Sequence, residues 1–331
     1  MTFVKIKRGL VETVFKWLDF KITNRCNNKC LYCGVNQDSP AEEERIQLSQ
    51  TIDALEDAID LDFTHFALLG GEPSIRADIE ELLTPFSNTK SVHTLMIISN
   101  MLIFNEPMYR ALFGTRCKNA TLVASIDNLS TPNFKNQDSK KVLSFIEKVL
   151  SIADEYKALG NRGVHIHSVI SRENYQNLLD LVSFFNGKGL EVSLAIVEPF
   201  QLVTNPRNYN QFSKLDIELI ISELNHLEEA GNLSFANGVL RDYLERFVLG
   251  EYDTYKSCTA GIEHVIIDSD GSVYPCLTEA YRQGITFGNI KNDRFKDLYE
   301  QMKGFHCKSP FLQTCWDHYL WTRLVADYGG K

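Results

Sequence analysis

Residues 26–33 read Cys26-Asn27-Asn28-Lys29-Cys30-Leu31-Tyr32-Cys33. Three thiols at i, i+4 and i+7 lie closer together than core packing requires, and the spacing lets one loop turn all three sulfurs toward a common centre. Cys26, Cys30 and Cys33 therefore read as ligands. A structural zinc ion takes four nitrogen or sulfur donors, usually as two Cys-x2-Cys knuckles, and no fourth Cys or His lies within twenty residues of this stretch. A cubic iron–sulfur cluster held by three thiolates leaves one iron without a protein ligand, where a small molecule can bind and be reduced.

The Cys-x3-Cys-x2-Cys pattern, with aromatic Tyr32 just before the last Cys, resembles the signature of radical S-adenosylmethionine (SAM) enzymes. The resemblance implies a [4Fe-4S] cluster whose open iron chelates the amino and carboxylate groups of SAM. It further implies reductive cleavage of SAM to methionine and a 5'-deoxyadenosyl radical that removes a substrate hydrogen, and a reducing partner such as flavodoxin or ferredoxin.

The 331-residue chain can hold one large α/β domain with a small appendage. Lys and Arg number 34 against 43 Asp and Glu, a net charge of −9. This argues against general binding to nucleic acid or an anionic membrane, both of which need a basic face. Eight cysteines without a secretory signal point to a reducing compartment and to metal or redox chemistry rather than disulfides. The early basic cluster does not make a signal peptide, because Glu12 interrupts the apolar region and no small-residue cleavage site follows. The longest apolar runs are too short to span a bilayer. A soluble, cytoplasmic protein is expected.

From residue 18 to about 200, β-rich runs at 18–22, 64–69, 93–99, 121–126, 164–170 and 192–197 alternate with helical stretches near 49–61, 76–86, 141–159 and 174–186. The clearest helical period is Val142, Phe145, Ile146, Val149, Leu150 and Ala153, with Gly160 placed to end the helix. Six β/α units predict a parallel sheet with right-handed crossovers, and the resemblance implies a partial (βα)6 TIM barrel. Functional loops of such barrels lie at the C-terminal ends of the strands, where the three-Cys loop falls after the first strand.

Gly70-Gly71-Glu72-Pro73 follows the second strand. By itself it reads as a tight turn with Pro near a helix start; in register with the Cys loop it resembles the family's GGEP motif, whose backbone and Glu hold the SAM amino group. Ser99 and Asn100 end the third strand, Ser125 and Asp127 the fourth, and Ser168 lies on the fifth; these resemble positions where the family contacts SAM's carboxylate and ribose. Asp127 reads equally well as a turn cap. His165 and His167 share one face of a strand, as hydrogen-bonded features of core or rim more readily than as a ligand pair. Glu198 is a substrate-contact candidate, and Cys117 reads as a buried thiol.

Residues 206–255 read as a helical bridge with helices near 214–230 and 238–249, and the pattern changes at Ser257. Cys258 and Cys276 bracket two apolar, β-branched segments about an Asp270-Gly271 turn, a hairpin that brings both cysteines to one end. Cys307 and Cys315 follow an amphipathic helix carrying Phe295, Leu298, Tyr299 and Met302. These four thiols suit a second [4Fe-4S] cluster or a structural zinc ion. The hairpin, the Gly288-Asn289-Ile290 step and the trailing cysteines resemble the twitch, or shortened SPASM, domain that carries an auxiliary cluster in radical SAM enzymes. The last pair is spaced wider than the twitch type, with His306 or His318 as alternatives to Cys307. The expected organisation is an extension over 1–17, the barrel over 18–205, the bridge over 206–255 and the auxiliary domain over 256–331.

The resemblance implies a radical enzyme whose auxiliary cluster accepts an electron from the substrate, giving a two-electron oxidation. With a first strand near residue 18, no peptide-recognition domain is expected ahead of the barrel, which favours a small polar natural-product intermediate as substrate. A ribosomally made peptide, cross-linked or epimerised, is the alternative. A non-catalytic iron–sulfur carrier is the third reading, and the Gly70–Pro73 turn opposes it, since a carrier has no need of a site for an amino group.

Overall fold

A computed structural model describes residues 16–30, 33, 46–129, 139–196, 212–249, 260–276, 279–280 and 284–305. Tyr32, Glu198, Cys258, His306, Cys307, Cys315 and His318 lie outside the described residues. Six strands alternate with helices: β1 (Trp17–Thr23), β2 (His65–Gly70), β3 (Thr94–Ser99), β4 (Asn119–Ser125), β5 (Asn161–Ile170) and β6 (Val192–Ile196). Helices α1 (Leu48–Asp60), α2 (Ile79–Leu82), α3 (Thr84–Asn88), α4 (Glu106–Gly114), α5 (Ser139–Glu155) and α6 (Leu178–Asn186) lie between them. Every adjacent pair from β1 to β6 is parallel.

Alternation of side chains sorts each strand into two faces. Leu18, Phe20 and Ile22 of β1, Phe66 and Leu68 of β2, and Val164, Ile166 and Ile170 of β5 belong to the core packed by the helices. The opposite, inner face carries a small apolar patch of Ala67, Met96 and Val123, against which the partly buried Trp17, Leu69 and Ile98 pack.

Three features depart from the sequence expectation or add to it. The helix expected at 76–86 is broken into a 3-10 turn at Pro73–Ile75 followed by α2 and α3. Pro85 has no N–H to offer the Glu81 carbonyl, and the Thr84 hydroxyl donates to that carbonyl instead, at 2.7 Å. Helix α4 occupies the β/α connection for which the sequence reading sets no bounds; Asn105 caps it by accepting from Met108 N and Pro107 sits in its first turn. The C-terminal hairpin is not set apart from the barrel. Its strand β7 (His264–Ile267) pairs parallel to β1 and antiparallel to β8 (Val273–Tyr274), so one eight-stranded sheet runs β6-β5-β4-β3-β2-β1-β7-β8.

The bridge helices α7 (Lys214–Glu229) and α8 (Phe235–Leu249) bury Ile217, Ile220, Leu224, Leu240 and Leu244 in the common core. Helix α9 (Phe295–Met302) docks against α1 with Phe295, Leu298, Tyr299 and Met302 buried. No helix among the described residues is long and apolar enough to cross a membrane.

Candidate active site

The site grows from the C-terminal end of β1. Pairing of β1 with β2 shifts register between Lys21 and Thr23, a bulge that re-aims the chain. The Ile22 carbonyl accepts from the buried Arg76 guanidinium at 2.6 Å, and Arg76 is held in turn by Asp78. Next along the chain, the Thr23 carbonyl accepts from Gly71 N at 2.7 Å and the Arg25 carbonyl from Glu72 N at 2.8 Å. A Cβ on Gly70 would lie 2.1 Å from the Thr23 oxygen, and one on Gly71 2.0 Å from the Arg25 oxygen. The two glycines are thus the condition for backbone contact between the β2 turn and the root of the cysteine loop, beyond the tight turn itself.

Glu72 is 1% exposed. Its Oε1 accepts from Ser74 N at 3.0 Å and from the Ser99 hydroxyl at 2.8 Å, and its Oε2 from Asn100 N at 2.7 Å. A carboxylate has about four acceptor positions, so three are spent within the chain and one remains for an ammonium. Pro73, buried beside it, starts the 3-10 turn. Glu72 therefore joins the ends of β2 and β3 as well as facing the loop.

Cys26, Cys30 and Cys33 are half-buried and form no disulfide, and Cys33 N donates to the Cys30 carbonyl in a turn. Burial raises the Cys26 thiol above its ordinary value, with the Glu72 and Cys33 charges adding to the effect, while Asn28 N–H and the Asn100 amide oppose it. The loop does not by itself make Cys26 a thiolate; a bound metal does, since a coordinating thiol is deprotonated outright. Among the described residues no three His, Cys, Asp or Glu side chains converge on a single-ion site. Asn28 Nδ2, inside the loop, and Ser74 Oγ, in the turn behind it, are buried with no hydrogen-bond partner among the described residues. Three thiols, two orphaned polar atoms and a close-packed glycine turn fit a cluster with a small polar ligand.

The other candidate residues divide. Ser125 is on the inner face at the end of β4, level with His167. Asp127 is buried and accepts from Val169 N at 2.9 Å, while its own carbonyl accepts from Asn174 Nδ2 at 3.0 Å, which makes it a clasp between the ends of β4 and β5. Ser168 departs from the expected set. It shares its face with Val164, Ile166 and Ile170, is fully buried, and its hydroxyl has no partner among the described residues. The phase of β5 thus puts Ser168 on the helix-packed side and gives the inner face to His165 and His167. Both histidines meet the Ser193 hydroxyl, at 2.8 and 2.9 Å. Burial pushes His165 down to about 3, so it is neutral at ordinary pH. Cys117 is buried, its thiol pushed up to about 11 by that burial.

Sequence reasoning did not single out the inner-face groups of β1 and β7. Lys21 Nζ donates to Asp268 at 2.8 Å, Asp19 meets His264 Nε2 at 2.9 Å, and Trp17 Nε1 donates to Asp19 at 2.6 Å. The alternation of β1 holds the signal for Trp17, Asp19 and Lys21, but the long-range partners of Lys21 and Asp19 come from more than 240 residues away.

The register fixes where Cys276, the described member of the second cysteine set, lies. Trp17 is opposite His264, and Ile266 is opposite Tyr274 on the returning strand. Cys276, two residues on, therefore comes back to the level of Trp17, at the N-terminal end of the barrel strands. Glu279 N donates to its sulfur at 3.5 Å. The length of β1, roughly 20 Å, separates this end from the Cys26 loop, with the inner face between.

A family model of the radical SAM superfamily matches residues 20–185, and one described as an iron–sulfur cluster-binding domain, SPASM, matches residues 258–317. The chain is 24% identical to a GTP 3',8-cyclase of Nautilia profundicola over 96% of its own length and 98% of that protein's. It is 25% identical to one from Clostridium botulinum over 79% and 81%. Among solved structures it resembles Streptococcus suis SuiB bound to the precursor peptide SuiA, at TM-score 0.65 and 17% identity, covering 93% of this chain and 71% of that one. It also resembles anSMEcpe with bound AdoMet, at TM-score 0.60 and 18% identity, over 95% and 96%.

Proposed function

Because this chain belongs to the radical SAM superfamily and carries a C-terminal iron–sulfur cluster-binding domain, we propose that it is a SAM-dependent radical oxidase of a small, polar substrate bound on the inner face of the barrel. When bound, the first [4Fe-4S] cluster supplies the electron that cleaves SAM to a hydrogen-abstracting 5'-deoxyadenosyl radical, and the auxiliary cluster takes up the electron that the substrate gives away.

In this reading Cys26, Cys30 and Cys33 hold the first cluster, and Cys276 holds the auxiliary one together with Cys258, Cys307 and Cys315. Gly70, Gly71 and the remaining acceptor of Glu72 orient the SAM amino group, and Ser125 stands on the rim toward its ribose. An oxidised hydroxyl must also lose a proton, and His167, backed by Ser193 and His165, is placed on the inner face to take it. The observation that carries the proposal is the register of β1, β7 and β8, which supports a substrate lying between a radical source at one end and an electron acceptor at the other.

The full-length similarity to GTP 3',8-cyclases favours a second reading, a radical cyclisation of GTP. Among the described residues the inner face opposes it: Lys21 is matched by Asp268, and Asp19 brings a further negative charge met by His264. A triphosphate needs Lys or Arg to spare, whereas a polyhydroxylated or amino-substituted ring does not. The peptide reading rests on likeness of fold to SuiB and anSMEcpe alone.

The test is anaerobic turnover of the reconstituted protein with SAM and dithionite against an aminocyclitol panel, GTP and no substrate. Stimulated 5'-deoxyadenosine formation with a cyclitol product lighter by two hydrogens is the expected result. Stimulation by GTP, with a product of unchanged mass, selects the cyclase reading instead.

A further inference from the structure

At the end of β3, Ser99, Asn100, Met101 and Leu102 form a turn held more firmly than a connecting turn needs. Met101 is fully buried with φ at +59°, a left-handed backbone conformation that costs a non-glycine residue and persists only where its surroundings impose it. The surroundings here are specific: the Ser99 hydroxyl and Asn100 N both donate to Glu72, and Met101 N donates back to the Ser99 hydroxyl at 3.1 Å. Asn100 Oδ1 accepts from Leu102 N at 3.0 Å. That bond fixes the amide's orientation, so Nδ2 points the other way, toward Asn27 Oδ1 at 2.8 Å and Cys26 Sγ at 3.7 Å. Asn100 itself is 8% exposed.

Resting on the assignment of Cys26 as a ligand of the first cluster, we infer that Asn100 is a positioning residue that tunes that cluster, its amide N–H held against the Cys26 sulfur by the Glu72 carboxylate. A donor on a ligating sulfur stabilises the extra negative charge of the reduced cluster, and hydrogen bonds to the sulfurs are among the terms that set cluster potential. Glu72 thereby contributes to redox poise through Asn100, in addition to any contact it makes with SAM. Asn28 N–H is a second donor on the same sulfur, so Asn100 adjusts the potential without being required for the cluster to form.

The test is the midpoint potential of the reconstituted first cluster, measured by EPR-monitored redox titration in an auxiliary-site knockout (Cys258→Ala with Cys276→Ala), with iron and sulfide counted for each variant. Asn100→Leu removes the donor, and the ratio of reduced to oxidised cluster at the parent midpoint should fall about tenfold, a shift of about 59 mV to more negative potential for one electron. Asn100→Asp keeps the shape and the acceptor for Leu102 N but turns an oxygen toward the sulfur. It should shift the potential in the same direction by at least as much, whereas a purely structural role predicts the parent value. An unchanged midpoint in Asn100→Asp with the cluster intact overturns the inference, and so does an unchanged midpoint in Asn100→Leu. A parent protein that assembles no cluster with a SAM-responsive EPR signal overturns the ligand assignment itself, which is a separate outcome.

Discussion

The two ends of the inner face are built by different physics. At the C-terminal end the cysteine loop is rooted by backbone contact and buried polar bonds: Gly71 on Thr23, Glu72 on Arg25 and Arg76 on Ile22. At the N-terminal end the Cys276 hairpin pairs with β1 through β7, and helix α9, which follows it, is docked mainly by apolar packing. Phe63 of the barrel meets Phe295 and Tyr299 of α9 edge to face at 5.9 and 5.2 Å, and Arg294 adds a two-pronged pair with Asp57 on α1. Polar bonds are directional and fix atoms to fractions of an ångström, as a site that orients SAM requires. Apolar packing fixes a domain but tolerates volume-conserving change. An electron acceptor, the role proposed for the Cys276 end, needs only to be held at a roughly constant distance.

Substitutions can break this contrast, and the largest effect belongs to the polar root. In Gly71→Ala the new Cβ meets a backbone oxygen that no rotamer can move aside. The first cluster should be lost and iron fall by about four per chain, with the auxiliary iron retained; full iron content would show that the close approach is dispensable. Next, Cys258→Ala with Cys276→Ala should abolish product while 5'-deoxyadenosine remains detectable. Undiminished product formation would remove the electron-acceptor role from the second site.

Packing changes should be smaller and should act on stability rather than chemistry. Met302→Ala, at a fully buried position of α9, should cost about 2–5 kcal/mol, read by thermal or denaturant unfolding, with SAM cleavage by the surviving folded fraction unchanged. Asp57→Asn loses the charge that pairs with Arg294 and should cost about 1–3 kcal/mol. Burial works to raise the Asp57 carboxyl, but the hydrogen bonds from Arg294 and Lys296 N outweigh it and hold it below its ordinary value. The folded state therefore binds this proton less readily than the unfolded chain does. The stabilisation is full above the unfolded value, about 3.9, and disappears as pH falls through the lower folded value. Acid unfolding curves of the parent and Asp57→Asn proteins should converge at the acid end. The smallest effect is Tyr299→Phe, which removes a hydroxyl donating to the Ile262 carbonyl at 2.8 Å and should cost about 1 kcal/mol.

Much of the fold was legible in the chain because its signals are local. The six barrel strands stand where β-branched runs alternate with helical periods, and their ends differ from the expected ones by a few residues. The break at Pro85 was equally local, since a proline removes the bond to the residue four before it. Faces were harder. His165, His167 and Ser168 are neighbours in sequence, and only the packing of α5 and α6 decides which side of β5 is core. Ser168 thus fell to the helix side although its place along the strand is right for a rim residue.

The sequence by itself determined the chemistry of the parts: the spacing of Cys26, Cys30 and Cys33, the glycine pair at 70 and 71, and the hairpin around Gly271. These depend on bond lengths, turn preferences and donor types within a few residues. Tertiary structure alone decided how the parts face one another. Asn100 reaches Cys26 across 74 positions, and Lys21 reaches Asp268 across 247. The pairing of β7 with β1, which sets Cys276 at the opposite end of the inner face from the Cys26 loop, is likewise a long-range choice. Strand pairs so distant in sequence are selected by burial of the whole sheet, a sum over many side chains that no short stretch encodes.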